Sequence, residues 1–279
     1  MPELPEVETV VRDLRPGLLG RKIVAVHVSP QPLRLPWRKE WEPVLLGQTF
    51  RVARRRGKWI CLELDEPYFL IIHLGMTGQL TVTSAHVPWR DHTHVVFTLD
   101  QGRQLRYRDI RRFGSCQLLV GEEAVTAFFH QNQLGPEPFD LDPNYWRRQI
   151  QKTNRCLKAV LLDQRVVAGV GNIYADEALH EARLHPTQLG RATTRAEAER
   201  LRRAVAIVLT RAIEQRGSSI RDYVGGSGLK GQYQEEFRVY SRTGAPCPRC
   251  WTAIQRIRRA GRATHFCPKC QQLKHHAEK

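Results

Sequence analysis

Several groups of residues have types and spacings that can do chemistry. Pro2 stands second in the chain, in the run Met1-Pro2-Glu3-Leu4-Pro5-Glu6. Once Met1 is removed, Pro2 is a free secondary amine. Such an amine attacks an aldehyde-like carbon and gives an iminium, the charged Schiff base of covalent catalysis. Glu3 and Glu6 lie near enough in sequence to move protons for that step. The same six residues also read as an ordinary helix start with its cap. At the other end, Cys247-x2-Cys250 and Cys267-x2-Cys270 are separated by 16 residues. Two such pairs supply four thiolates to one tetrahedral Zn2+ and leave no open position for catalysis, so one structural zinc is expected. Arg256, Arg258, Arg259 and Arg262 fall between the pairs. A basic hairpin stapled by zinc can clamp nucleic acid, or it can be a purely structural ribbon.

Weaker signals lie between these ends. In Arg106-Tyr107-Arg108-Asp109-Ile110-Arg111-Arg112-Phe113-Gly114, aromatic rings among arginines can pair phosphate contacts with insertion into a base stack. Lys58 ends the run Arg54-Arg55-Arg56-Gly57-Lys58 and abuts the apolar pair Trp59-Ile60, which fixes its position better than that of an ordinary solvated cation. His73-Leu74-Gly75-Met76-Thr77-Gly78 is a tight loop presenting Met76, although a lone Met is more often core. His92-Thr93-His94 carries little information by spacing alone. Gly169-Val170-Gly171-Asn172-Ile173-Tyr174 is a glycine turn running into a helix, where backbone amides can hold a phosphate. It lacks the dinucleotide spacing and a preceding strand, so a Rossmann reading is rejected.

Composition bounds the partner. The chain has 279 residues, 41% of them hydrophobic, enough for a core and two domains. Lys and Arg outnumber Asp and Glu 44 to 28, a net charge of +16 spread along the whole chain. A globular protein this basic ordinarily has a polyanionic partner, most often nucleic acid. No apolar run is long enough for a membrane span, and the acidic start is unlike a secretion signal. Seven cysteines, four clustered and three scattered (Cys61, Cys116, Cys156), suit a reducing cytosol better than a disulfide framework.

The elements that must position these groups follow from periodicity. Val7, Val10, Val11, Leu14 and Leu18 predict an amphipathic helix over Pro5 to Leu18 that pins the N-terminal amine to a rigid body. Short strands are predicted between Lys22 and Val120: Val24, Val26 and Val28 alternating, Ile60, Leu62 and Leu64 likewise, then Phe69–Ile72, His94–Leu99, Gln104–Tyr107 and Cys116–Val120. Such a series suggests an antiparallel sandwich or barrel. Leu134-Gly135-Pro136-Glu137-Pro138 marks a domain boundary. Asp142-Pro143 opens a helix, Leu157–Leu162 forms a short one, and Ala175–Arg183 another. Thr194-x-x-Glu197 is a capping box that starts a long helix to about Gln215.

Together these pieces closely resemble bacterial formamidopyrimidine-DNA glycosylase, the 8-oxoguanine DNA glycosylase and AP lyase family. The residues that carry the resemblance are Pro2-Glu3-Leu4-Pro5-Glu6-Val7-Glu8-Thr9, His73-Leu74-Gly75-Met76, Arg111-Arg112-Phe113-Gly114, Gly169–Tyr174 and Arg262-Ala263-Thr264. It runs from Pro2 to the last cysteine pair. It implies an α+β protein of two domains. A catalytic β-sandwich with its N-terminal helix would occupy residues 1–133, and a helical helix–two-turn–helix domain 134–236, ending in a four-cysteine zinc finger over 237–271. The implied partner is double-stranded DNA carrying oxidised purines or abasic sites, met by a monomer with no membrane association, cytoplasmic and near the nucleoid.

The resemblance also implies roles. Pro2 attacks sugar C1′ and displaces the damaged base; Glu3 donates the proton, with Glu6 in support. Lys58 matches the donor for β-elimination and Arg262 the donor for δ-elimination, although an Arg stays charged at neutral pH and clamps phosphate more readily than it gives up a proton. Met76, Arg111 and Phe113 fill the space the everted nucleotide leaves, Arg111 facing the orphaned base, usually cytosine. His92 and Asn172 contact phosphates, with Tyr174 behind Asn172. Thr153 stands where the family often has a basic phosphate contact, flanked here by Lys152 and Arg155. A glycine-rich loop after Tyr223 covers the everted base. Two other readings remain: an endonuclease VIII-like glycosylase for oxidised pyrimidines, and a non-catalytic DNA-binding zinc protein. The Leu4 and Val7-Glu8-Thr9 context and the complete Met76, Arg111, Phe113 trio favour the purine enzyme.

Overall fold

The computed structural model describes residues 1–219 and 231–273. The expected loop after Tyr223 lies outside them. The chain divides into two compact units, Met1–Asn132 with Ile213–Gln234, and Gln133–Ala212 with Glu235–Lys279. No described helix is long and apolar enough to cross a membrane.

The first unit opens with α1 (Leu4–Leu18), whose N-cap is Glu3 and whose first turn holds Pro5, where no backbone donor is needed. Val7, Val10, Val11, Leu14 and Leu18 form its buried stripe. Then come β1 (Ile23–Val28), α2 (Trp41–Leu45), β2 (Val52–Arg56), β3 (Trp59–Glu63), β4 (Tyr68–His73), β5 (Gly78–Ser84), β6 (Thr93–Leu99), β7 (Arg103–Asp109), β8 (Ser115–Val120) and α3 (Glu122–Gln131). They make two four-stranded antiparallel sheets, ordered β1-β6-β7-β5 and β2-β3-β4-β8. One core joins the α1 stripe to Ile60, Leu62, Leu70 and Ile72 of one sheet and Leu80, Val95, Phe97 and Leu105 of the other. Cys61, Phe69 and Ile71, on the opposite face of the second sheet, pack under Val125 of α3.

One expectation is corrected and another is extended. Val24 does not share a buried face with Val26 and Val28: it is 52% exposed, and Ile23 is buried instead. The ladder to β6 slips between Ile23 and Ala25, a bulge that turns the strand over. The basic run at Arg54 does precede the strand opening at Trp59, but most of it is also a strand. Arg54, Arg55 and Arg56 are themselves in β2, paired with Cys61, Ile60 and Trp59.

The second unit contains α4 (Pro143–Gln151), α5 (Leu157–Leu162), α6 (Asn172–Glu181), most of α7 (Arg195–Glu214), and the hairpin β9 (Gln255–Arg259) and β10 (Arg262–Phe266). Asp142 caps α4 by accepting from Tyr145 N–H at 2.7 Å. Thr194 and Glu197 form the expected reciprocal box at the start of α7. Gln164 closes the turns between α5 and α6, donating to Val170 carbonyl at 2.7 Å and accepting from Gly169 N–H at 2.9 Å. That closure starts α6 at Asn172, earlier than the expected Ala175.

Candidate active site

Pro2 and Glu3 are buried at the head of α1, Glu3 being only 4% exposed. Glu6 fixes this head. One of its carboxylate oxygens accepts the Glu3 backbone N–H at 2.8 Å. The other accepts Ser218 N–H at 2.8 Å and Ser218 Oγ–H at 3.1 Å. Gly217 adopts a φ of +72°, and a Cβ there would stand 2.8 Å from that same oxygen. Glu6 is thus a strut holding the backbone beneath Pro2 and Glu3.

Lys58 lies in the tight β2–β3 turn and is buried. Arg55 ties this turn to α1, donating from Nε to Glu8 at 3.1 Å and from Nη1 to the Gly57 carbonyl at 3.1 Å. Burial alone would raise the Glu8 carboxyl, but hydrogen bonds and charge from Arg12 and Arg55 outweigh it and hold the group below its ordinary value. Lys58 also acts on His73. Burial first, then the charges of Lys58 and Arg34, push that imidazole down to about 4, against partial relief from Asp109. The neutral ring accepts Gly75 N–H at Nδ1, at 3.0 Å.

A pH dependence follows with a definite sign. His73 titrates near 6.5 when unperturbed and near 4 in the fold. Its contribution is therefore complete above 6.5 and is lost as the pH falls to about 4, because the unfolded chain binds the proton first. Chemical denaturation of His73→Asn should show an acid limb shallower than wild type by about 1.4 kcal/mol per pH unit inside that window. Parallel acid limbs would contradict it.

The expected void-filling residues sit on two loops that interlock. Met76 follows β4 and Phe113 precedes β8; they are 43% and 47% exposed. The Arg111 guanidinium lies 4.5 Å from the centre of the Phe113 ring, a cation–π contact. A Cβ on Gly75 would stand 2.5 Å from Gly114 N, and one on Gly114 would stand 1.8 Å from Tyr107 Oη, so the backbones meet where no side chain fits. Beneath both loops the buried Asp109 carboxylate accepts from Thr77 Oγ1 at 2.5 Å, Arg111 N–H at 3.2 Å and Gly114 N–H at 2.9 Å. His92 is exposed with a φ of 66°, and its carbonyl accepts Asp109 N–H at 3.0 Å. Its neighbour His94 is buried against Ser29 and the Asp109 carbonyl, a core residue.

In the second unit, Asn172 begins α6 and donates from Nδ2 to the Ala263 carbonyl at 3.2 Å, while its Oδ1 is buried with no partner among the described residues. Tyr174 is buried in the same helix. The same Ala263 carbonyl accepts from Lys158 at 3.4 Å. Lys158 forms a fully buried ion pair with Asp176, whose second oxygen accepts His265 N–H at 2.9 Å. These contacts fasten β10 to α6 and leave Arg262 exposed at the start of β10. Glu177, beside Asp176, accepts the backbone N–H groups of Arg238, Val239 and Tyr240, although burial raises its pKa. Thr153 is only half-buried, and its Oγ1 accepts from Arg155 N–H at 3.2 Å. The flanking cations Lys152 and Arg155 are both exposed, and Arg155 pairs with Asp163 at 2.7 Å.

The sulfurs of Cys247, Cys250, Cys267 and Cys270 all lie within 4.8 Å of one another. Cys247 and Cys270 sulfurs are 3.9 Å apart, and those of Cys250 and Cys267 3.4 Å. Four sulfurs about 2.3 Å from a tetrahedral Zn2+ stand roughly 3.8 Å apart, so the cage fits the ion. Outer contacts orient the ligands. His180 Nε2 lies 3.4 Å from Cys247 Sγ, and Cys270 N–H donates to Cys267 Sγ at 3.3 Å. The zinc would be structural, holding the β9–β10 hairpin.

Family models match in chain order. They are the formamidopyrimidine-DNA glycosylase N-terminal domain over residues 1–116, its H2TH domain over 134–224, and the zinc finger found in FPG and IleRS over 244–273. The formamidopyrimidine-DNA glycosylase of Desulforamulus reducens is 44% identical over 278 residues, covering 98% of this chain and 100% of that one. The Streptococcus mutans protein of the same name is 41% identical over 276 residues, covering 98% and 100%. The chain belongs to the formamidopyrimidine-DNA glycosylase family. The Lactococcus lactis Fpg in complex with abasic-site DNA matches with a TM-score of 0.90 at 36% identity, covering 97% of this chain and 99% of that one. A complex of the wild-type L. lactis enzyme with N7-benzyl-Fapy-dG DNA also scores 0.90.

Within this glycosylase, four positions escaped the sequence reasoning. Ser218 anchors Glu6 from 212 residues away. Lys158 and Asp176 fasten the hairpin, and Asp109 ties the two loops. Each acts through contacts distant in sequence, and no local spacing announces them.

Proposed function

We propose that this chain is a bifunctional DNA glycosylase and AP lyase of base excision repair, acting on 8-oxoguanine and formamidopyrimidines in duplex DNA. A base inside the stack is out of reach, so the nucleotide is turned out at a cost of roughly a few kcal/mol. The Pro2 nitrogen, exposed by loss of Met1, attacks C1′. The C1′–N9 bond breaks with its electrons going to the base, which takes up the proton shed by the Pro2 nitrogen, and Glu3 supplies a proton to the ring oxygen as the sugar opens to the iminium. The iminium acidifies C2′, and loss of that proton expels the 3′ phosphate, with Lys58 as the proton donor. A second elimination expels the 5′ phosphate, which Arg262 holds. Met76, Arg111 and Phe113 fill the vacated stack, while His92, Asn172 and the Thr153–Arg155 corner meet phosphates.

The observation that carries this reading is the head of α1. Glu6, itself held by Ser218, fixes the backbone at 2.8 Å beneath a buried Pro2–Glu3 pair, which suits a terminus that must meet one sugar carbon in one orientation. We further propose division into catalytic (1–133), helix–two-turn–helix (134–236) and zinc-finger (237–271) segments, a monomeric state, and a place in the bacterial cytoplasm at the nucleoid. The test is cleavage of duplexes carrying 8-oxoguanine or thymine glycol opposite defined bases. Faster release of 8-oxoguanine supports the reading; faster release of thymine glycol overturns it in favour of the endonuclease VIII-like alternative.

A further inference from the structure

Asp109 ends β7 with no exposed surface, and no chemical step uses it. Its surroundings are built for an anion. The N–H groups of Arg111 and Gly114 point at its carboxylate, and that of Arg112 at its carbonyl, 3.3 Å away. Arg112 takes a left-handed φ of 56° in the middle of this turn. Converging backbone donors of this kind form an anion nest. From the other loop, Thr77 Oγ1 donates to the same carboxylate at 2.5 Å and accepts from Arg111 N–H at 3.0 Å. Tyr107 Oη approaches it at 3.5 Å. The donors are at, or next to, all three expected void-filling side chains: Thr77 follows Met76, Arg111 donates itself, and Gly114 follows Phe113.

We propose that Asp109 is the positioning residue that sets how Arg111 and Phe113 are presented to the duplex, and so sets discrimination of the opposite base. This rests on the reading of Arg111 as the group that faces the orphaned base. One charged acceptor couples two loops 32 residues apart, so neither loop can shift without breaking a bond to it. An Asn in its place keeps the volume but turns one acceptor into an N–H2 that faces the donors of the nest.

The test uses the full-length protein in single-turnover release of 8-oxoguanine opposite cytosine and opposite adenine. Asp109→Asn should lower the cytosine-to-adenine rate ratio by about tenfold, the loss expected for one charge-assisted bond in the transition state. The ratio should approach that of Arg111→Ala, and the double variant should be no lower than Arg111→Ala alone. Thr77→Val deletes only the bridging hydroxyl and should move the ratio in the same direction; it decides the matter if Asp109→Asn does not fold. An unchanged ratio in a folded Asp109→Asn or Thr77→Val protein, or multiplicative losses in the double variant, would overturn the proposal. A wild type that shows no base preference refutes the reading of Arg111 itself, before any substitution is made.

Discussion

Glu3→Gln should slow release of the damaged base by at least about a hundredfold, the lower range for a positioned general acid, while duplex affinity changes by less than about twofold. The substitution is nearly isosteric. The backbone N–H that Glu6 holds at 2.8 Å is untouched, so the head of α1 keeps its place. What is lost is a carboxyl that can give up a proton as the sugar ring opens. Single-turnover release and equilibrium binding to lesion duplex, measured on the same preparation, separate the effects. Binding and turnover falling together would show that Glu3 is a structural cap and not a proton donor. Glu6→Gln is the informative contrast. One Glu6 oxygen takes two Ser218 donors and the other takes Glu3 N–H, so an amide there must face at least one donor with another and loosen the whole head.

Loss of the metal should be as severe at the other end of the chain. Cys267→Ser removes one of four sulfurs from a cage whose members lie within 4.8 Å, and Cys267 itself is fully buried. Structural zinc supplies roughly 10–16 kcal/mol of apparent binding energy in small four-ligand modules, and that energy is the folding energy of the module. The hairpin carrying Arg262 would then be held to α6 and α5 by the bonds of Ala263 to Asn172 and Lys158 and of His265 to Asp176. Metal analysis should find less than one zinc per chain, and lesion-duplex binding should weaken by about a hundredfold or more. Hydrogen exchange should rise across residues 244–273 while the strands of the first unit stay protected. A variant that keeps its zinc and binds normally would contradict the assignment.

Much of this was legible in the sequence, for reasons that differ by element. The α1 stripe is a local 3.6-residue pattern, and the caps at Asp142 and Thr194 are contacts over three residues, so both survive without tertiary information. The cysteine pairs are equally local. β2 was missed because three consecutive arginines read as solvent-facing, whereas Arg55 folds back on Glu8 and Ala53 fills the core. β5 hid behind the glycines of the Met76 loop. Val24 was placed on the wrong face because a bulge, which leaves no mark in a valine alternation, reverses the strand. At the site, the candidates Pro2, Glu3 and Lys58 come from chemistry and resemblance. Asp109 and Ser218 were not, since a buried Asp between arginines looks like any surface acid until its donors from distant loops are seen.

The most direct measurement is to trap the complex with borohydride on duplex DNA containing 8-oxoguanine, digest the adduct and map it by mass spectrometry. Met1 should be absent, and the reduced sugar should be bonded to the nitrogen of Pro2 in the N-terminal peptide. An adduct on Lys58 or another lysine, or full base release by protein that retains Met1, would contradict it.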